Sequence, residues 1–135
     1  MSGIDAFFDT NVLLYLLSAD RLKAEIAEEL MAQGGIISVQ VLNEFADVAA
    51  RKFKSPWPQI RTVLSTVRDV CVVVPVSIDT HDRGIVIAER YRLRVYDSMI
   101  ISAALQAGCT TLISEDMQSG QRIYDLTIHN PFIRH

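Results

Sequence analysis

Four acidic side chains stand where chemistry is to be expected: Asp9 in the apolar stretch FFDTNVLLYLL, Glu44 in SVQVLNEF, Asp97 in VYDSMIISAAL and Asp116 in LISEDM. Carboxylates gathered within a few ångströms repel and raise one another's pKa unless a cation lies between them. Hard oxygen donors of this kind suit Mg²⁺ or Mn²⁺, with water keeping the other coordination positions. Such a site lowers the pKa of a bound water and clamps phosphate oxygens in hydrolysis. Each acid also has a plainer reading. Asp9 and Asp97 each precede a helix and suit N-cap duty, and Asp116, before Ser119 and Gly120, suits a turn. Glu44 resists that treatment: it shares a helical stripe with Val41 and Val48, and a half-buried carboxylate without a partner is costly. Asp47, Asp79, Asp82, Glu115 and Asp125 read as surface, cap or turn acids.

The elements that must position these groups alternate along the chain. Residues 4–8, IDAFF, read as a short buried strand and 12–17, VLLYLL, as a helix apolar on every side and therefore interior. Asp20 is placed to cap a helix over 21–33 that stops at Gly34 and Gly35. IIS at 36–38 reads as a strand, and Ser38 as the cap of a helix whose buried face is Leu42, Phe45, Ala46, Ala49 and Phe53. A further helix spans 57–69 with Ile60, Val63, Leu64 and Val67 as its inner stripe. The β-branched run at 71–76 is a strand, and Pro75 marks it as an edge or a terminus. Asp79 or Thr80 starts a helix reaching Leu93. Asp97 opens a small-residue helix closed by Gly108, and TTLIS at 110–114 is a strand followed at once by Glu115 and Asp116. Residues 126–133 add a last strand. Strands alternating with helices predict an α/β fold, a mostly parallel sheet of four to five strands covered by helices on both faces. In such a sheet the strand ends converge on one edge, where ligands bind.

With 135 residues, half of them hydrophobic, the chain fits one domain over 1–135. Cys71 and Cys109 lack CxxC spacing and paired histidines, which predicts reduced core thiols in a cytoplasmic protein and argues against zinc. The N-terminus has no basic segment, and no apolar run reaches the roughly 20 residues of a bilayer span, so no membrane role is expected. A net charge of −3 argues against a basic-tail nucleic-acid binder, yet with four acids set aside at a metal site the remainder carries +1. The basic groups at 51–54 and 90–94 are able to hold phosphates, although such residues on helix ends are commonly just solvated. No GxGxxG or P-loop supports a nucleotide cofactor, and His81, His129 and His135 have no nucleophile signature near them.

The four acid-bearing segments, in this order and with the closing HNPF, resemble the PIN-domain nucleases, and among them the VapC-type toxins of toxin–antitoxin pairs. The resemblance spans nearly the whole chain. It implies a single PIN-like domain that cleaves RNA endonucleolytically with Mg²⁺ or Mn²⁺. Asp9, Glu44, Asp97 and Asp116 would be its catalytic acids, the metal resting on Asp9, Asp97 and Asp116. Thr10, Asn11 and Ser98 would orient those carboxylates through hydrogen bonds. The fourth position stays open between Asp116 and its neighbour Glu115. A homodimer and a VapB-type antitoxin that occludes the site are implied by the family alone. Two other readings stand beside this one: a PIN-domain RNA-processing nuclease outside any toxin–antitoxin pair, and a receiver-like phosphoacceptor module. The second is disfavoured because such modules use a lysine after the last core strand, and Lys23, Lys52 and Lys54 all precede the third strand.

Overall fold

The computed structural model describes residues 5–133, so the expected strand start at Ile4 and the tail residue His135 lie outside the described residues. Three short strands meet at its centre: β1 (Ala6–Phe8) lies between β2 (Gly35–Ser38) and β4 (Thr111–Ile113), parallel to both. β3 (Cys71–Val74) adds to β2, and β6 (Leu126–His129) to β4, again in parallel. The sheet order is β3-β2-β1-β4-β6-β5. Only β5 (Arg122–Ile123) runs antiparallel, in a tight hairpin with β6. This two-residue strand takes the sheet to six, beyond the four to five expected, and it is too short for any hydrophobic period to announce it. Pro75 directly follows β3, which is indeed an edge strand, where a residue without an N–H interrupts no ladder.

Helices cover both faces of the sheet. Neighbouring strand residues point to opposite faces, and both members of the pairs Phe7 and Phe8 and Ile36 and Ile37 are buried. The helices are α1 (Thr10–Leu14) with a 3₁₀ turn at Tyr15–Leu17, α2 (Arg21–Gln33), α3 (Val39–Arg51), α4 (Trp57–Val70), α5 (Ile78–Tyr91) and α6 (Val95–Gln106). From Ser98 to Ala104 every residue of α6 is buried, which its small side chains permit. At the α5–α6 contact a Cβ on Gly84 would lie 2.6 Å from Met99 Sδ, so the glycine lets the two helices approach. Past the end of α6, Gly108 at φ +78° donates to Leu105 O and Cys109 donates to Ala104 O, a Schellman closure.

Local details depart from expectation where a tertiary contact or a neighbouring hydroxyl competes. α1 starts at Thr10, two residues early, because Asp9 caps it by accepting from the Thr10 N–H at 2.7 Å. Ser38 occupies the N-cap position of α3 but its hydroxyl makes no capping bond; it is fully buried and without a partner among the described residues. α3 stops at Arg51, so Phe53 has left the helix and is 46% exposed instead of joining the inner stripe, while Val41 is fully buried in its place. Ser77, not Asp79 or Thr80, caps α5, in a reciprocal box with Thr80. Asp97 is the third residue of α6, whose N-cap is Arg94, so Asp97 is not a cap. The last strand ends at His129, short of residue 133. Cys71 and Cys109 are buried and unpaired, as expected. No described helix is long and apolar enough to cross a membrane.

Candidate active site

β1 and β4 deliver their C-terminal ends to the same edge of the sheet. Phe8 pairs with Ile113, the Asp9 N–H donates to Ile113 O at 2.9 Å, and the next residues on the two strands, Asp9 and Ser114, are therefore neighbours. Ser114 Oγ donates to Asp9 Oδ2 at 2.7 Å. Asp9 is only 5% exposed. One turn of α1 places the next two side chains: Thr10 Oγ1 donates to Glu44 Oε2 at 3.0 Å, and Asn11 Nδ2 donates to Asp116 Oδ2 at 3.1 Å and to Asp9 Oδ2 at 3.4 Å. From α3, Gln40 Nε2 donates to Glu44 Oε1 at 2.7 Å. α6 contributes Asp97, to which Arg94 Nε donates at 3.3 Å. Asp9, Glu44, Asp97 and Asp116, from four separate segments, all line one open cleft of about 800 Å³ together with Thr10 and Asn11.

Several expected roles change in this setting. Glu44 is not without partners, since Thr10 and Gln40 hold one oxygen each. Ser98 is fully buried and its hydroxyl donates to Arg94 O at 2.9 Å, bracing the first turn of α6 instead of orienting a carboxylate. Asp116 lines the cleft, whereas Glu115 turns aside. There Glu115 accepts from Lys23 Nζ at 2.9 Å and from the Tyr15 hydroxyl, with Lys23 4.8 Å from the centre of the Tyr15 ring. The Glu115 N–H in turn donates to Asn11 Oδ1 at 3.2 Å, so this clamp fixes the loop that carries Asp116. Asp47, expected as plain surface, stands at the cleft wall and pairs with Arg51 at 3.0 Å. Ser114 and Gln40 were missed. A hydroxyl directly after a buried strand, and an amide four residues before a helical acid, were the signals available for them.

Burial pushes the Asp9 carboxyl up to about 6; the Ser114 and Thr10 hydrogen bonds oppose this, and the charges of Asp97 and Asp116 add to it. Asp9, Glu44 and Asp116 accept from neutral groups only, and Asp97 alone has a cationic neighbour among the described residues. Such a donor set, all oxygen and short of positive charge, fits a hard divalent cation. Among the described residues no three acidic, histidine or cysteine groups stand close enough to grip an ion as they lie. The cleft thus presents the right donors without a closed cage.

The PIN domain family model matches residues 6–122. The chain belongs to the PIN-domain family. Nucleases of this family use divalent metal ions, in keeping with the donor set. No curated protein matches the chain by sequence. Among solved structures, this PIN domain is similar to a chain of a toxin–antitoxin complex from Klebsiella pneumoniae, with a TM-score of 0.70 and 25% identity over 94% of this chain and 98% of that one. It shares its fold with VapBC2 from Rickettsia felis bound to a promoter DNA fragment (TM-score 0.65, 21% identity, 93% of this chain and 97% of that one). It shares it also with VapC20 from Mycobacterium tuberculosis, a toxin that cleaves the sarcin–ricin loop (TM-score 0.64, 17% identity, 79% and 86%). The receiver-like reading loses its footing with the family match, and Lys23 reaches Glu115 instead of a cleft carboxylate.

Proposed function

We propose that this PIN domain is an Mg²⁺-dependent endoribonuclease, with Mn²⁺ as a substitute ion, that serves as the cytoplasmic toxin of a VapBC-type pair. The observation that carries this reading is the convergence of four carboxylates on one cleft, with Asp9 held among neutral donors and pushed up to about 6 by its burial, to which the charges of Asp97 and Asp116 add. Asp9, Asp97 and Asp116 would hold the ion, and Glu44 would orient the attacking water. When bound, the ion supplies Lewis-acid stabilisation and a more acidic water. The rest is positioning by this chain: Thr10 aims Glu44, Asn11 ties Asp116 to Asp9, and Ser114 holds Asp9 at the strand end. The similarity to the Klebsiella toxin–antitoxin chain, over 94% of this chain and 98% of that one, supports a small VapB-type antitoxin as partner. A homodimer as the toxin's state is part of the proposal on the family resemblance alone.

The test is cleavage of RNA by the purified protein with Mg²⁺, with Mn²⁺ and with chelator. Cutting that survives thorough chelation sinks the metal-dependent reading. Expression of wild type and Asp9→Asn in growing cells separates the biological alternatives. Arrested growth with the wild type alone, relieved by a co-expressed antitoxin, supports the toxin; equal growth points to an RNA-processing nuclease outside any such pair.

A further inference from the structure

The cleft has a second wall that the carboxylates do not use. Tyr96, adjacent to Asp97 in the chain, is 72% exposed, and it lines the cleft together with Val39 and Val76, which are 41% and 42% exposed. Nothing within the described chain covers this apolar surface, although it stands beside four acids. The backbone at Tyr96 is nonetheless held. Gln40 Nε2, which donates to Glu44, donates also to Tyr96 O at 3.1 Å, so one amide sets the spacing between the Glu44 carboxylate and the start of α6. Arg94, two residues earlier and with its side chain 81% exposed, gives its Nε to Asp97 and has no second acid partner among the described residues.

We propose that this wall is a subsite for one unpaired nucleobase. Tyr96 stacks on the base of the nucleotide next to the scissile phosphate, Val39 and Val76 flank it, and Arg94 meets the adjoining phosphate. The assignment deepens the endoribonuclease reading and rests on it. An exposed aromatic ring beside an arginine is the pairing that single-stranded nucleic acid uses, because every base offers a π-face and every linkage a charge. A base inside a duplex has both faces occupied by its neighbours, so only a loop, bulge or end presents one to Tyr96. A phosphodiester is a fitting counterpart for Arg94 once the acids beside it are neutralised. The consequence is that Tyr96, separately from the acids that cut, sets how tightly the base beside the scissile phosphate is held.

The experiment is binding of a fluorescein-labelled RNA hexamer to the full chain with Ca²⁺ in place of Mg²⁺, followed by anisotropy, with the same series read again as KM for cleavage in Mg²⁺. Tyr96→Ala is expected to weaken single-strand binding or raise KM about tenfold, within the range of one lost stack. Tyr96→Phe and Tyr96→Trp should stay within about twofold. A hexamer with one abasic position should lose affinity for the wild type but not further for Tyr96→Ala, and a fully paired RNA should not distinguish the variants. Because Tyr96 projects into solvent, melting of the variants should match the wild type. If Tyr96→Ala binds and cuts like the wild type, the subsite is wrong while Mg²⁺-dependent cleavage keeps the nuclease reading. A changed oligomeric state of Tyr96→Ala on sedimentation would assign the wall to a protein interface and overturn the proposal. RNA neither bound nor cut by the wild type overturns both.

Discussion

Replacing Asp9 by asparagine separates a metal-binding carboxylate from a mere helix cap. The Asp9 pKa stands at about 6 against 3.8 for the free side chain, with desolvation as the main cause. At about 1.4 kcal/mol per unit, this buried charge costs the metal-free fold about 3 kcal/mol at neutral pH as an upper bound. The folded chain binds a proton here more tightly than the unfolded chain does. The protonated form therefore contributes stability that is complete below about pH 4 and is lost as pH rises through about 6. The substituted asparagine would still accept from the Thr10 N–H, but its amide would face the donors of Ser114 and Asn11, at a cost of about 1 kcal/mol. The net expectation is that Asp9→Asn, in chelator at pH 7.5, is more stable than wild type by about 1–2 kcal/mol, or about 3–6 °C in Tm. The gap should close toward pH 4. Mg²⁺ at a hundred times its Kd should raise the wild type by about 2.7 kcal/mol and the variant much less. The assay is thermal melting of both proteins, with chelator and with Mg²⁺, across pH 4 to 8. An apo variant that melts lower than the wild type at pH 7.5 refutes the electrostatic argument, and an equal Mg²⁺ shift in both proteins shows that Asp9 binds no metal.

Asp97→Asn should abolish RNA cleavage while leaving the fold intact, since the amide keeps the shape and can still face Arg94; unchanged turnover excludes Asp97 as a ligand. Lys23→Met should loosen the Glu115 clamp behind Asp116 and lower kcat about tenfold, with stability moving by less than about 1 kcal/mol because the pair is partly solvated. Lys23→Arg should recover part of that rate, and a purely structural role would instead show as a drop in Tm. Gly35→Ala should destabilise by about 2 kcal/mol in denaturant melts, because the new Cβ would lie 2.5 Å from the buried Phe8 ring and 3.0 Å from Ala6 O, with no room for either to yield.

What the linear chain determined by itself were the terms that rest on local chemistry. The order of strands and helices, the cap at Asp20, the end at Gly34, the edge position foreshadowed by Pro75 and the four acids all follow from propensity, period and side-chain type within a few residues. The tertiary structure decided the relations between distant segments. It showed that Asp116 and not Glu115 enters the cleft, because Lys23 and Tyr15, about a hundred positions away, draw Glu115 aside. It showed Ser114 bound to Asp9, since parallel register sets side by side two strand ends that the sequence separates by 105 residues. It also turned Ser98 inward onto Arg94 O and left Phe53 beyond the end of α3, outcomes fixed by where a helix starts and stops against its neighbours. Hydrogen bonds and charges act over a few ångströms of space. A sequence lists which groups exist, and only the folded chain sets which of them fall within that reach.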